Sequence, residues 1–120
     1  MSTDAIKLAF TKMQAQGNDF IILNGLQTEL PELNEKLVRT ITERRYGIGC
    51  DQLLVLLPDS NADAGLRIFN NDGSEAANCG NGLRCVGEIL MQGTGKDQVS
   101  IALADSIVQA SRSEHGVRVE

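Results

Sequence analysis

Apolar positions along this chain fall into short runs broken by polar turns, with helical spacing in only two places. Residues 6–13 alternate loosely and read as a strand, followed by a loop, Gln14-Ala15-Gln16-Gly17-Asn18-Asp19. Phe20 to Leu23 is an unbroken apolar run closed by Asn24-Gly25, the pattern of a buried strand. After Pro31, residues Leu33, Leu37, Val38 and Ile41 recur at helical spacing. With Glu29 and Glu32 near the start and Arg44 and Arg45 near the end, they predict an amphipathic surface helix over 32–45. Gly47-Ile48-Gly49-Cys50-Asp51 leads into a strand over 52–57 that Pro58 ends, and another strand is expected over 65–70. Asn71-Asp72-Gly73 then has the residue types of a tight reversal. A second helix is predicted over 80–92, its stripe formed by Leu83, Val86, Ile89 and Leu90 and widened by Cys85, Gly87 and Met91. Strands over 99–103, 107–110 and 117–119 complete the pattern, the last reached through Glu114-His115-Gly116.

A helix with so little polar surface needs wrapping, and the strands are the available wrapping. The expected fold is therefore α+β: a mainly antiparallel sheet curled as a partial barrel around the helix 80–92, with the amphipathic helix outside. At 120 residues the chain forms a single domain, 1–120, with no internal repeat or linker. Aromatic residues are scarce and tryptophan is absent, so aliphatic side chains must build the core.

The formal charge of −5 argues against nucleic acid or an anionic membrane surface as partner, while leaving room for a small anionic ligand at a local cluster of donors. No apolar stretch is long enough to span a bilayer and residues 1–4 carry no signal-peptide pattern, so a cytoplasmic location is expected. Cys50, Cys79 and Cys85 form no CxxC pair, and with one histidine the chain has no zinc spacing; no metal site is expected.

The thiol that stands apart is Cys79. Asn78-Cys79-Gly80-Asn81-Gly82 places it between a polar turn and the predicted start of the second helix. Unpaired N–H groups and the helix dipole there favour both a thiolate and a bound carboxylate, and the flanking glycines leave the backbone open to a ligand. The same pattern also suits a buried cysteine at a glycine turn. Three further segments carry amides with both donors and acceptors: Gly17-Asn18-Asp19-Phe20, Asp51-Gln52, and Asn70 at the strand end before Asn71-Asp72-Gly73-Ser74-Glu75. Each alone is equally an ordinary turn. Asp51 is expected to tie down the glycine turn before it through backbone N–H groups, and Cys50 to act as a small apolar filler. His115 reads as a solvated turn residue.

Taken together and in this order, the segments resemble diaminopimelate epimerases. The matching pieces are Lys12-Met13 with Gly17-Asn18-Asp19-Phe20; Gly47-Ile48-Gly49 with Asp51-Gln52-Leu53-Leu54; Arg67-Ile68-Phe69-Asn70 with Asp72-Gly73-Ser74-Glu75; and Cys79-Gly80-Asn81-Gly82 with Arg84-Cys85. Gly116-Val117-Arg118-Val119 is similar to the end of that family's first lobe. The resemblance implies a cofactor-free racemisation by two cysteines on opposite faces of the stereocentre, one as thiolate taking the α-proton and the other as thiol returning one. It makes Cys79 one of that pair, gives Gly80 and Asn81 the substrate α-carboxylate, and makes Asn18, Gln52 and Asn70 substrate-contacting amides. Cys50 and Cys85 match no catalytic position.

The implied activity interconverts LL- and meso-diaminopimelate, a step toward lysine and peptidoglycan precursors. The loop before Gly17 departs from the family's usual His-Gly-Leu, reading Gln14-Ala15-Gln16. Family enzymes have two similar lobes, and the second catalytic cysteine belongs to the lobe this chain lacks. The chain thus resembles an N-terminal lobe, expected to be inactive alone and to self-associate or dimerise through the surface a second lobe would cover. Another amino-acid racemase of the same fold, or a stand-alone lobe that binds a ligand or assembles without catalysis, would carry the same pattern.

Overall fold

The computed structural model describes residues 9–15, 17–45, 47–77, 80–114 and 116–120. Its elements in chain order are β1 (Thr11–Ala15), β2 (Asn18–Asn24), α1 (Glu35–Thr42), β3 (Gln52–Leu57), β4 (Ala64–Asn70), β5 (Glu75–Ala76), α2 (Gly80–Thr94), β6 (Gln98–Ala102), β7 (Ile107–Ser113) and β8 (Gly116–Val119). One sheet runs in the order β1-β2-β3-β4-β6-β7-β8, with β5 attached to β4. Pairing is antiparallel except at β2–β3 and β4–β6.

The unbroken apolar runs are explained by cover on both faces of the sheet. On one face Phe20, Ile22, Leu54, Leu56, Leu66 and Ile68 pack with Leu83, Val86, Leu90 and Met91 of α2. The intervening residues Ile21, Leu23, Leu53, Val55 and Phe69 point the other way and pack with Val38 and Ile41 of α1. Side chains alternate along a strand, so each run feeds two cores at once. Burying one such aliphatic side chain contributes roughly 1.5–3 kcal/mol, and these two clusters are what hold both helices to the sheet. Helix α2 also lies close to β7 and β8: a Cβ on Gly87 would stand 2.7 Å from Cβ of Ala110 and 3.3 Å from the Val117 side chain. Only glycine allows that approach. Among the described residues no helix is long and apolar enough to cross a membrane.

Several boundaries differ from the sequence expectation. The first strand occupies Thr11–Ala15 rather than 6–13, residues 6–8 lying outside the described residues. The expected loop 14–19 is a tight hairpin instead, with Ala15 paired to Asn18 and Gly17 at φ +84. Helix α1 covers Glu35–Thr42, not 32–45, because Asn34 rather than the region of Pro31 caps it: its Oδ1 accepts from the Leu37 N–H at 2.8 Å. Such a cap is worth about 1 kcal/mol. At the other end Glu43 adopts an extended conformation, so Arg44 and Arg45 lie beyond the helix and do not serve its dipole. The chain instead folds back under the last turn. Ile48 and Gly49 donate to the Ile41 carbonyl and Cys50 donates to that of Thr42, satisfying groups the helix end leaves open. That return delivers Asp51 and Gln52 to the start of β3. The two-residue strand β5 had no periodicity to announce it.

Candidate active site

Asn18, Gln52 and Asn70 occupy one end of the sheet and one face of it. Gln52 opens β3 and is paired with Asn70, which closes β4, while Phe20 pairs with Gln52 across the parallel β2–β3 ladder. Asn18 precedes Phe20 by two residues, so it lies roughly 8 Å from Gln52, one strand over and two residues along. Because side chains alternate, Asn18 shares its row with Phe20 and Ile22, Gln52 with Leu54 and Leu56, and Asn70 with Leu66 and Ile68, all of which pack against α2. The three amides thus prolong the apolar face that cradles α2.

Helix α2 enters at that same end. Ala76 of β5 pairs with Ile68, two residues before Asn70, and Gly80 can lie no more than about 15 Å along the chain from Ala76. The helix leaves at the opposite end, where Lys96 Nζ lies 2.8 Å from Oδ1 of Asp63, just ahead of β4. Its 15 residues span about 22 Å and the seven of β4 about 23 Å, so the helix runs the length of the strand. Its first turn carries no acidic side chain. Gly80 is exposed, and a Cβ there would meet nothing within 4 Å. Asn81 is half-buried, and its Oδ1 accepts from Arg84 Nη1 at 2.9 Å. Asn78 and Cys79 lie outside the described residues, as does His115.

The amides are oriented by a directed chain of hydrogen bonds. Gln52 Nε2 donates to Asn70 Oδ1 at 3.0 Å, Asn70 Nδ2 donates to Ser74 Oγ at 3.1 Å, and Ser74 Oγ donates to Asp72 Oδ1 at 2.6 Å. The Ser74 hydroxyl and backbone N–H hold the Asp72 carboxyl below its usual range. The reversal itself is a three-residue loop: Asn70 N–H donates to the Ser74 carbonyl, Gly73 N–H donates to the Asn70 carbonyl, and Gly73 takes φ +92. The segment is therefore the turn its residue types predict, with the oriented Asn70 amide at its start.

Asp51 does not tie down the glycine turn as expected. Its Oδ2 accepts the N–H of Asp19, across the strand pair, at 3.0 Å. Asp19 and Arg44 complete that contact, although the sequence pattern points Arg44 to the helix dipole and gives Asp19 no ion-pair partner. The Arg44 guanidinium takes Asp19 in a two-pronged grip, and this bond holds the Asp19 carboxyl well below the usual carboxylate range. Cys50 is fully buried, and burial pushes its thiol up to about 11, as suits a filler; Cys85 is buried against α2's side of the core. A crevice of about 570 Å³ lined by Gly25, Leu30, Pro31, Leu57, Pro58 and Arg67 lies at the other end of these strands, away from the amides.

The family model for diaminopimelate epimerase matches residues 10–120. This chain belongs to the diaminopimelate epimerase family. It is 48% identical over 86 residues to the diaminopimelate epimerase of Halorhodospira halophila, covering 70% of this chain and 30% of that protein. With the diaminopimelate epimerase of Burkholderia thailandensis it shares 39% identity over 115 residues, 92% of this chain and 40% of the relative. The chain thus spans about a third of the length of these curated relatives. A hydroxyproline epimerase from Agrobacterium vitis, solved with bound trans-4-hydroxy-L-proline, superposes with a TM-score of 0.70 at 20% identity, over 92% of this chain and 40% of that one. At that identity the likeness concerns the fold: a curled sheet around a central helix.

Proposed function

We propose that this chain supplies the N-terminal lobe of a cofactor-independent epimerase that interconverts LL- and meso-diaminopimelate, with Cys79 as one of two thiol acid/bases. The observation that carries this reading is the gathering of Asn18, Gln52 and Asn70 in neighbouring rows at the end of the sheet where α2 begins. An amino acid's head group needs acceptors for its ammonium and donors for its carboxylate, and amides offer both. The N–H groups of Gly80 and Asn81 at the start of a 15-residue helix, without an acidic side chain in its first turn, suit the carboxylate.

Binding there places the α-carbon beside the residue that precedes Gly80. Cys79 as thiolate takes the α-proton, and electron density moves onto the carboxylate held by the helix N-terminus. A thiol from a second lobe then delivers a proton to the opposite face. Membership of a family whose relatives are more than twice as long supports a second lobe as the source of that thiol. The lone lobe binds its substrate weakly and turns nothing over.

The test is an amide-detected titration of the ¹⁵N-labelled chain. Meso-diaminopimelate is expected to shift the side-chain NH₂ signals of Asn18, Gln52, Asn70 and Asn81 together, with proline and histidine weaker. Shifts confined to other surfaces, or a stronger response to proline, would overturn the reading.

A further inference from the structure

Asp19 directly follows Asn18, and Asp51 directly precedes Gln52. Where β2 and β3 start side by side, their backbones and carboxylates cross-link. Asp51 N–H donates to Asp19 Oδ1 at 2.8 Å and to the Asp19 carbonyl at 3.1 Å, while Asp19 N–H donates to Asp51 Oδ2 at 3.0 Å. This reciprocal pairing puts two carboxylates next to each other, and like charges so placed repel. Arg44 bridges both. Its Nη1 and Nη2 donate to Asp19 Oδ2 and Oδ1, each at 2.9 Å, and Nη2 also reaches Asp51 Oδ1 at 3.0 Å. Lys12 Nζ adds a longer contact to Asp19 Oδ2 at 3.7 Å. A planar guanidinium presents its donors in a rigid fork that grips one carboxylate with two bonds while reaching the other, a geometry the single nitrogen of an ammonium does not offer.

The same region of chain secures the third amide. Arg39 Nε donates to the Asp72 carbonyl at 2.9 Å and Thr42 Oγ1 to that of Asn71 at 3.3 Å, both in the loop that follows Asn70. Helix α1 and its exit therefore brace all three amide-bearing ends from the face opposite α2.

We propose that Arg44 is a positioning residue, holding the starts of β2 and β3 at the spacing that lets Asn18 and Gln52 engage one ligand. The ligand part rests on the functional reading above; the brace itself does not.

The test uses the ¹⁵N-labelled chain and the variants R44Q, R44K, D51N and R44Q/D51N, with urea unfolding to establish that each is folded. R44Q is expected to speed hydrogen exchange at the Asp19 and Asp51 amides about tenfold, and to weaken the diaminopimelate-induced shifts of Asn18 and Gln52 by a similar factor, as loss of charge-assisted hydrogen bonds predicts. R44K falls between R44Q and wild type. Adding D51N to R44Q restores most of both, because the new carboxamide accepts the Asp19 N–H, donates to the Asp19 carboxylate and removes one of the repelling charges. A residue that merely filled space would not be rescued by deleting a second ionic partner. Unchanged exchange in R44Q, a deeper loss in the double variant, or exchange that responds while diaminopimelate shifts do not, each overturns the proposal. If wild type shows no diaminopimelate response while exchange follows the predicted order, the substrate assignment fails and the brace stands.

Discussion

Gln52 and Asn70 face each other across β3 and β4, and the Nε2 of Gln52 donates to the Oδ1 of Asn70 at 3.0 Å. That bond fixes which way the Asn70 amide points: oxygen toward Gln52, nitrogen toward Ser74. The donor series ends on the Asp72 carboxylate, so reversing any member would leave two donors or two acceptors opposed.

Asn70→Asp keeps the acceptor for Gln52 but removes the donor to Ser74. On the proposed reading it also sets a negative charge beside the pocket meant for the amino acid's carboxylate. The expected result is a loss of about 1 kcal/mol in urea unfolding, the worth of one hydrogen bond, together with diaminopimelate binding at least about tenfold weaker. Binding that survives while stability falls would detach Asn70 from the ligand.

The Asp19 carboxyl is held low by Arg44, so its contribution to stability is complete at pH values above the ordinary aspartate range. It is lost as pH falls from about 4 toward the depressed folded value, because there the unfolded chain takes up the proton first. Asp63, held low by Lys96, acts in the same direction and would blur a scan of wild type alone. Urea midpoints at pH 7, 5 and 3 are therefore expected to fall less steeply for D19N than for wild type. Parallel slopes would contradict the brace.

Two of the three thiols are buried. Cys50 is fully buried with its thiol pushed up to about 11, and Cys85 is also buried, so neither should react while the chain is folded. Iodoacetamide at pH 7.5 is expected to modify one thiol, recovered in the peptide containing Cys79, with the other two modified only after denaturation. Modification of Cys50 in the folded chain would show that the α1 side of the core is less closed than described.

Much of the fold was legible because burial on both faces leaves a strong mark. The runs Phe20–Leu23 and Leu53–Leu56 have no polar position to alternate with, and each proves to feed two cores. Asn18, Gln52 and Asn70 stand out in the sequence through their order along the chain, and period-two alternation puts them on one face of the sheet. What could not be read was the parallel pairing. Each parallel pair starts at a carboxylate clasp whose partners are distant in sequence: Asp19 and Asp51 with Arg44, and Asp63, which accepts from Ser100 N–H at 2.8 Å, with Lys96. The sequence puts Arg44 on the helix dipole because it and Arg45 follow Ile41, the last apolar position of the stripe, while the extended Glu43 ends the helix at Thr42 and frees the arginine for the clasp. The available hint was Asp19 itself, a carboxylate at the head of an apolar strand, paired with the uncharged Gln14.

The central claim is that Cys79 is one half of a two-thiol site. Deuterium incorporation at the α-carbon of diaminopimelate in D₂O, followed by proton NMR, tests it most directly. The purified 120-residue chain should incorporate none; joined to the second lobe of a diaminopimelate epimerase such as that of Burkholderia thailandensis it should incorporate deuterium, and C79A should abolish this. Incorporation by the chain alone, or undiminished incorporation by C79A in the two-lobed form, would contradict it.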